Sequence, residues 1–506
     1  MREAAELPSQ PSQEDAAYSE RMLIMESWTL HSTEVSDMMK LECRQAGTVT
    51  LPIVAFPFED FYIDRHHIAH TLAKKYQTLL FYAGLLMAAI GTGGIRAIVC
   101  PLNAYGLQSY RQKELMSFFN WFHWLVNVNC LVVFLGISYI QQSVAKNLGF
   151  LIPFVSVVMA LITIHMVRTE LLYQPVKGGS LLTTVGVFLN AVKMCCVHYR
   201  HVAGHHVSTW LDRAKEYNGG CYSECHVENT KVLLRLLPLF TLQIIFRICV
   251  TQVSAAFFIQ SMNSNLSVSG FLLPIAAMKI INIIPLLIMA PCLESVTIYL
   301  LNRRGYGLRP SASIVCGHIG AAMSLLVAGI YEINRKWFPM VEQTLSGKVL
   351  LVSTMSCLHL APQYILLGMA EAMVAPACSA ITFGLVPSRI RSTSMALMTL
   401  FQAFGCFMGA VLIEVVYLSS EGDWFPNILL DGHLERFYFL LAAAMFMSSL
   451  MVWCISHRYD DLYEEKDSAL WPSLLEEKLL LHEKSLRFYE TFLDWPSTFA
   501  PVETTL

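Results

Sequence analysis

The sequence predicts an all-α membrane protein, a bundle of about nine spanning helices, and three observations carry that prediction. Of the 506 residues, 55% are hydrophobic and only 14% are charged, with a mean hydropathy of +0.49, far from the balance of a water-soluble domain. Apolar runs long enough to cross a bilayer recur along most of the chain. Lys and Arg gather on alternate connections between those runs, as they do in the cytoplasmic loops of multi-pass proteins.

The first segment, 1–78, is rich in Glu, Ser, Gln and Ala as far as Thr48 and is expected to be largely disordered. Its one apolar patch, LPIVAFPFEDFY at 51–62, is short and carries Glu59 and Asp60, which make it a poor span. Residues 1–20 lack the apolar core of a secretory signal, so insertion is expected to rely on the first span. Three spans follow in 79–167, near 79–99, 118–140 and 148–167. A linker over 168–231 leads to six more in 232–456, near 232–260, 269–300, 311–331, 347–373, 392–419 and 436–456, and a tail occupies 457–506. Pro238, Pro285, Pro291 and Pro362 fall inside these runs, which spanning helices tolerate because neighbours re-satisfy the freed backbone groups.

Arg111 and Lys113, then Arg200, Arg213 and Lys215 of the linker, then Arg303, Arg304 and Arg309, then Arg389 and Arg391, and finally His457 and Arg458 lie on one side by this alternation, the cytoplasm. Nine spans with a cytoplasmic tail place the N-terminus outside. Lys74 and Lys75 then flank the first span on the side the rule disfavours.

A net charge of −3 and the lack of a long basic run exclude a nucleic-acid partner. The 14 cysteines are scattered, and Cys100, Cys130, Cys249 and Cys406 sit inside apolar runs, so they read as small buried hydrophobes and not as a disulfide framework. CCVHYRHVAGHH (195–206) and CYSECH (221–226) match no zinc-finger spacing and are expected to be solvated loop, as is HHIAH at 66–70. No metal or other cofactor is expected, and no nucleophile–base constellation supports an enzyme. Asn265-Leu266-Ser267 is a glycosylation sequon set too close to the bilayer for use. In the tail, Leu475, Leu479, Leu486, Tyr489 and Leu493 form a helical stripe expected to lie on the membrane surface or dock under the bundle. Thr504-Thr505-Leu506 fits a C-terminal ligand of a PDZ-domain partner.

IGTGGIR (90–96) places Arg96 at bilayer depth, where a lone cation costs several kcal/mol, so Arg96 needs a partner or a cavity. GTGGIR, together with FFNWFHWLVNVNCL (118–131), HVENTKVLLRLLP (226–238) and PQYILLGMAEAM (362–373), resembles the proton-coupled oligopeptide transporters, a branch of the major facilitator superfamily. The likeness runs from about Leu79 to His457. It implies a major facilitator-type bundle whose nine spans correspond to family helices 4 through 12, with an incomplete N-terminal half and a complete six-helix C-terminal half.

The resemblance also implies site residues. Arg96 and Glu371 match a lysine and a glutamate that face each other across the family's central cavity, so Glu371 is the expected partner of Arg96 and the candidate proton-coupling group. The competing reading is a static structural ion pair. Asn127 and Asn282 match cavity asparagines, although His123 stands where a tyrosine is usual. Gln252, with Gln260, matches a glutamine pattern, but Thr251 replaces the acidic residue expected before Gln252. Amides offer donors and acceptors to a peptide-like solute; helix-to-helix hydrogen bonding is their alternative role. The family's E-x-x-E-R signature and its helix 2 histidine have no counterpart. The resemblance thus implies symport of di- or tripeptides or related small solutes across the plasma or endolysosomal membrane. The rival is a transport-dead isoform acting through partner binding or without function, and a third reading is transport of another solute, such as histidine or an organic anion.

Overall fold

The computed structural model describes residues 79, 82–93, 112–137, 140, 146–167, 180–198, 209–268, 271–273, 277–304, 308–345, 348–387, 390–425 and 432–462. Its helices are α1 (Tyr82–Gly93), α2 (Gln112–Val132), α3 (Lys146–Val167), α4 (Ser180–His198), α5 (Glu224–Thr251), α6 (Ala256–Met262), α7 (Met278–Arg304), α8 (Pro310–Trp337), α9 (Ala361–Gly384), α10 (Arg391–Ser419) and α11 (Leu434–Leu462). A tight turn at Gln252–Ser254 joins α5 to α6, making one long element of the two.

Among the described residues seven helices are long and apolar enough to cross a membrane, and they account for seven of the nine expected runs. The runs near 79–99 and 148–167 contain α1 and α3, whose described apolar stretches are shorter. The segment 1–78, the tail stripe and the C-terminal Thr504-Thr505-Leu506 lie outside the described residues.

One expected span is displaced. The run 347–373 begins as a strand, Lys348–Ser356, and the helix starts only at Ala361 and continues to Gly384. Pro362, expected inside a span, lies in the first turn of α9, where a missing N–H costs nothing and the fixed backbone angle suits a helix start. Hydropathy alone cannot separate an apolar strand from a buried helix, and KVLLVSTMS is rich in β-branched residues that favour a strand.

That strand belongs to a three-stranded sheet. Calling the strands β1 (Ser264–Asn265), β2 (Ser267–Val268), β3 (Phe271–Leu272), β4 (Met340–Leu345) and β5 (Lys348–Ser356), β4 and β5 form an antiparallel hairpin, and β1 pairs parallel to β5 on its other edge. A second, two-stranded ribbon joins β2 and β3. Arg309 caps the start of α8, and the sheet lies at the opposite end of that helix.

The main core runs through the C-terminal half: Phe240, Phe246 and Phe257, Leu325, Tyr364, Phe383, Phe437 and Tyr438 are all buried in it. Helix α2 joins this core through Leu115, Met116 and Phe119, with Phe119 edge-on to Phe383 at 5.9 Å. The outward faces of α10 and α11 expose Leu400, Phe404, Phe407, Phe446, Met447 and Trp453.

The linker departs from expectation. It holds α4, the short helical turns Trp210–Ala214 and Glu216–Asn218, and a second small core of Val187, Ala191, Leu211, Ala214 and Val227. CYSECH is no loose loop either. The Tyr222 N–H donates to the Ala214 carbonyl and its carbonyl accepts from Glu216 N–H, while Glu224 opens α5. Among the described residues no group of three or more His, Cys, Asp or Glu is placed to hold a metal.

Candidate functional site

Helices α5, α9 and α10 converge on one ion pair. Arg247 Nη1 on α5 lies 3.2 Å from Glu371 Oε1 on α9, and Arg247 Nη2 donates to Gln402 Oε1 on α10 at 3.5 Å. The two charged side chains are 18% and 23% exposed, so they are neither sealed in the core nor open to solvent. Gly405, one turn beyond Gln402, makes the geometry possible: a Cβ there would run into Arg247 Cβ and the Ile244 carbonyl. The small residue lets α10 ride against α5 closely enough for Gln402 to reach the guanidinium.

Arg96, the expected partner of Glu371, lies outside the described residues. The partner Glu371 has among the described residues is Arg247, which the sequence reading passed over. The signal was available. Arg247 is a cation inside the apolar run 232–260, and the argument that demanded a partner for Arg96 applies to it equally.

The amides divide between two roles. Asn127 is half-buried and donates to the His123 carbonyl one turn back at 2.8 Å. Gln252 is fully buried; its Nε2 donates to the Ile248 carbonyl at 3.0 Å, and its Oε1 makes no hydrogen bond within the described chain. Asn282 is buried with its Oδ1 equally unused, and its backbone carbonyl sits where a Cβ on Gly368 would fall. Asn282 therefore marks a close approach of α7 to α9. Gln260 is committed to packing: its Nε2 donates to the Ala328 carbonyl, and its Oε1 accepts from Gln363 Nε2 at 2.9 Å and the Tyr438 hydroxyl at 3.2 Å.

A second intramembrane carboxylate was not nominated from sequence. Glu332 on α8 is wholly buried and receives two bonds from Arg335, Nη2 to Oε1 at 2.7 Å and Nε to Oε2 at 3.0 Å. Arg335 also donates to the Asn263 carbonyl at 3.4 Å, and its own carbonyl accepts from Ser353 of β5. This bidentate pair fastens the sheet to the helices it caps.

Helix α2 meets the C-terminal half through polar contacts as well. Ser117 Oγ donates to Glu294 Oε1 at 2.8 Å, and Trp124 Nε1 donates to the Leu287 carbonyl at 3.1 Å, both on α7.

A multi-pass helical bundle that encloses an ion pair and unused buried amides between facing helices has the architecture of a major facilitator-type transporter and not of an enzyme. Residues 46–426 match the model of the POT family (PTR2), and the chain belongs to that family. It is 51% identical to solute carrier family 15 member 5 of Homo sapiens over 460 residues, which cover 91% of this chain and 79% of that protein. It is 26% identical to Protein NRT1/ PTR FAMILY 8.1 of Arabidopsis thaliana, over 76% of this chain and 74% of that one. Among solved structures, an auto-inhibited POT family peptide transporter superposes with a TM-score of 0.58 at 14% identity, covering 86% of this chain and 85% of its own. The POT family transporter PepTSo does so with a TM-score of 0.53 at 16% identity, covering 84% of each chain.

Proposed function

We propose that this chain is a proton-coupled symporter of di- or tripeptides or related small solutes, with Glu371 as the proton site. The observation that carries the reading is the half-shielded Arg247–Glu371 pair. Its attraction exists only while Glu371 is ionised, so protonation of the carboxylate releases Arg247, and an incoming solute carboxylate can compete for the same guanidinium. Either event loosens α9 from α5 and α10, which is the local change a rocking transporter needs. The unused Gln252 and Asn282 oxygens supply acceptors for the N–H groups of a peptide-like solute. In this reading Arg96 is a second cation for Glu371, Asn127 lines the path, and the protein works in the plasma or endolysosomal membrane with its C-terminus open to a PDZ-domain partner.

The test is uptake of a labelled dipeptide mixture at acidic and neutral external pH by cells with confirmed surface expression. Acid-stimulated uptake that Arg247→Ala and Glu371→Gln both abolish supports the reading. Uptake indifferent to pH and to Glu371→Gln would remove the proton role. Absence of uptake despite surface delivery would favour the transport-dead alternative.

A further inference from the structure

Lys279 is a cation to which the fold brings no acid. It stands in the first turn of α7, at the end opposite Arg303 and Arg304, and opens the apolar stretch IINIIPLLIMAP. Among the described residues no carboxylate comes within ion-pair distance of it. Weaker contacts hold the half-buried side chain: its Nζ donates to the Ser254 hydroxyl at 3.2 Å and stands over the Phe134 ring, 5.7 Å from the centroid. Neither contact neutralises the charge.

Helix stability does not explain the residue. The free N–H groups of a first helical turn favour an acid there and oppose a cation. An ammonium drawn out to lipid headgroups does not fit the direction of the side chain either, because it reaches across to α2 and to the turn that ends α5. Phe134 lies in Val133–Ile137, where α2 widens into a π-turn, a feature that recurs at functional sites. The ammonium therefore sits at the seam between α2 and the C-terminal half.

The same seam lies along the element that carries the Arg247–Glu371 pair. Arg247 and Thr251 are four residues apart on α5, and both meet α10, at Gly405 and Gly409. Ser254 follows three residues on, in a tight turn whose side chains at that spacing eclipse. One side of this element thus carries Arg247 and, about 10 Å further along, the hydroxyl that Lys279 touches. Arg247 is answered by Glu371, and Lys279 is left over. Two buried oxygens with no hydrogen bond in the described chain are close by in sequence: Gln252 Oε1 in the turn of Ser254, and Asn282 Oδ1 one turn after Lys279.

We propose that Lys279 is a solute-binding residue whose ammonium takes a free carboxylate, so that this chain selects carboxylate-bearing solutes over their neutral amides. The inference rests on the transport reading above and names the group by which the solute is chosen. A bound carboxylate gives the ammonium a charge-assisted partner, and the Ser254 hydroxyl is then free to donate to the second carboxylate oxygen.

The test measures thermal stabilisation of the purified full chain in phosphatidylcholine nanodiscs by trialanine, succinate and benzoate, each against its amide. At least one acid should stabilise the protein where its amide does not. Lys279→Gln should weaken the apparent Kd for that acid about tenfold or more, the loss of one charge-assisted bond, and Lys279→Arg should restore most of it. Phe134→Leu, which leaves the ammonium in place, should keep the acid preference. A readout on the unaltered chain guards against variants that fail to fold: reductive methylation of Lys279, followed by mass spectrometry, should slow with the acid and not with the amide. Acid and amide acting equally, no acid acting at all, an affinity indifferent to Lys279→Gln, or methylation that the acid leaves unslowed would each overturn the inference. Success with succinate or benzoate and failure with trialanine would uphold Lys279 while removing the peptide reading. Trialanine bound equally well by Lys279→Gln would do the reverse.

Discussion

Two ion pairs within the bundle differ in burial, and that difference sets what each substitution does. Arg335 and Glu332 are wholly enclosed, and removing one member of such a pair leaves an uncompensated charge at a cost of about 3–5 kcal/mol. Glu332→Leu or Arg335→Met alone should therefore lower the thermal midpoint of the purified protein strongly. The double substitution should recover much of the loss, as read by tryptophan fluorescence on heating. Arg247 and Glu371 are partly open, so solvent shares the cost of separation. Glu371→Gln should change the melting temperature little while changing transport markedly, a split that a purely structural pair would not show. At this scale the sequence was half legible. Glu371 stood out through the PQYILLGMAEAM block, but its described partner was found only once the chain was folded, because α5 and α9 are 124 residues apart at the contact.

Elements are positioned by small residues and by the linker's charges. Gly405→Leu should force α10 away from α5, because a Cβ already meets the Ile244 carbonyl; the expected result is loss of monodisperse protein on size exclusion, or a folded protein in which Gln402→Ala has no further effect. Lys215 shows how the linker holds together. Burial works against its charge, but hydrogen bonds to Glu228, Asp212 and Glu224 outweigh that and hold the ammonium pKa well above its ordinary value. A raised folded-state pKa gives stability that is fully present below the unfolded lysine value and is lost as pH rises through the folded one. Amide exchange in Ser180–His198, taken relative to its base-catalysed intrinsic rate, should therefore be steady from neutral to mildly alkaline pH and rise only in strong alkali. Lys215→Met should raise it already at neutral pH. Helix lengths were readable from hydropathy, whereas the strand at Lys348–Ser356 was not, since its partner Met340–Leu345 and its neighbour Ser264–Asn265 had to be known first.

For the whole molecule, the relation between α2 and the C-terminal half is the feature with most consequence. Phe119 shares the core of that half, and Ser117 and Trp124 bond Glu294 and the Leu287 carbonyl of α7. Any rocking of one half against the other must slide or break these contacts. Ser117→Ala should shift the balance between inward-open and outward-open forms, measured as a change in the distance between labels on α2 and α7 by electron resonance. The side assignment is testable separately. An epitope placed in the turn between β4 and β5 should bind antibody on intact cells, and one placed after Leu462 only after permeabilisation.

What the sequence determined by itself was the medium and the plan: an apolar composition with cations on alternate connections requires a multi-pass helical bundle, because only helices or closed barrels satisfy their backbone in lipid. It also marked the carboxylate on α9 and nominated Asn127, Gln252 and Asn282 as candidate site amides. The tertiary structure alone decided which charges meet, that α8 carries a second, sealed acid, that an apolar run becomes a strand, and that the linker builds a small core of its own. These are contacts between residues distant in the chain, and hydropathy and local spacing report only what each segment needs, not which neighbour supplies it.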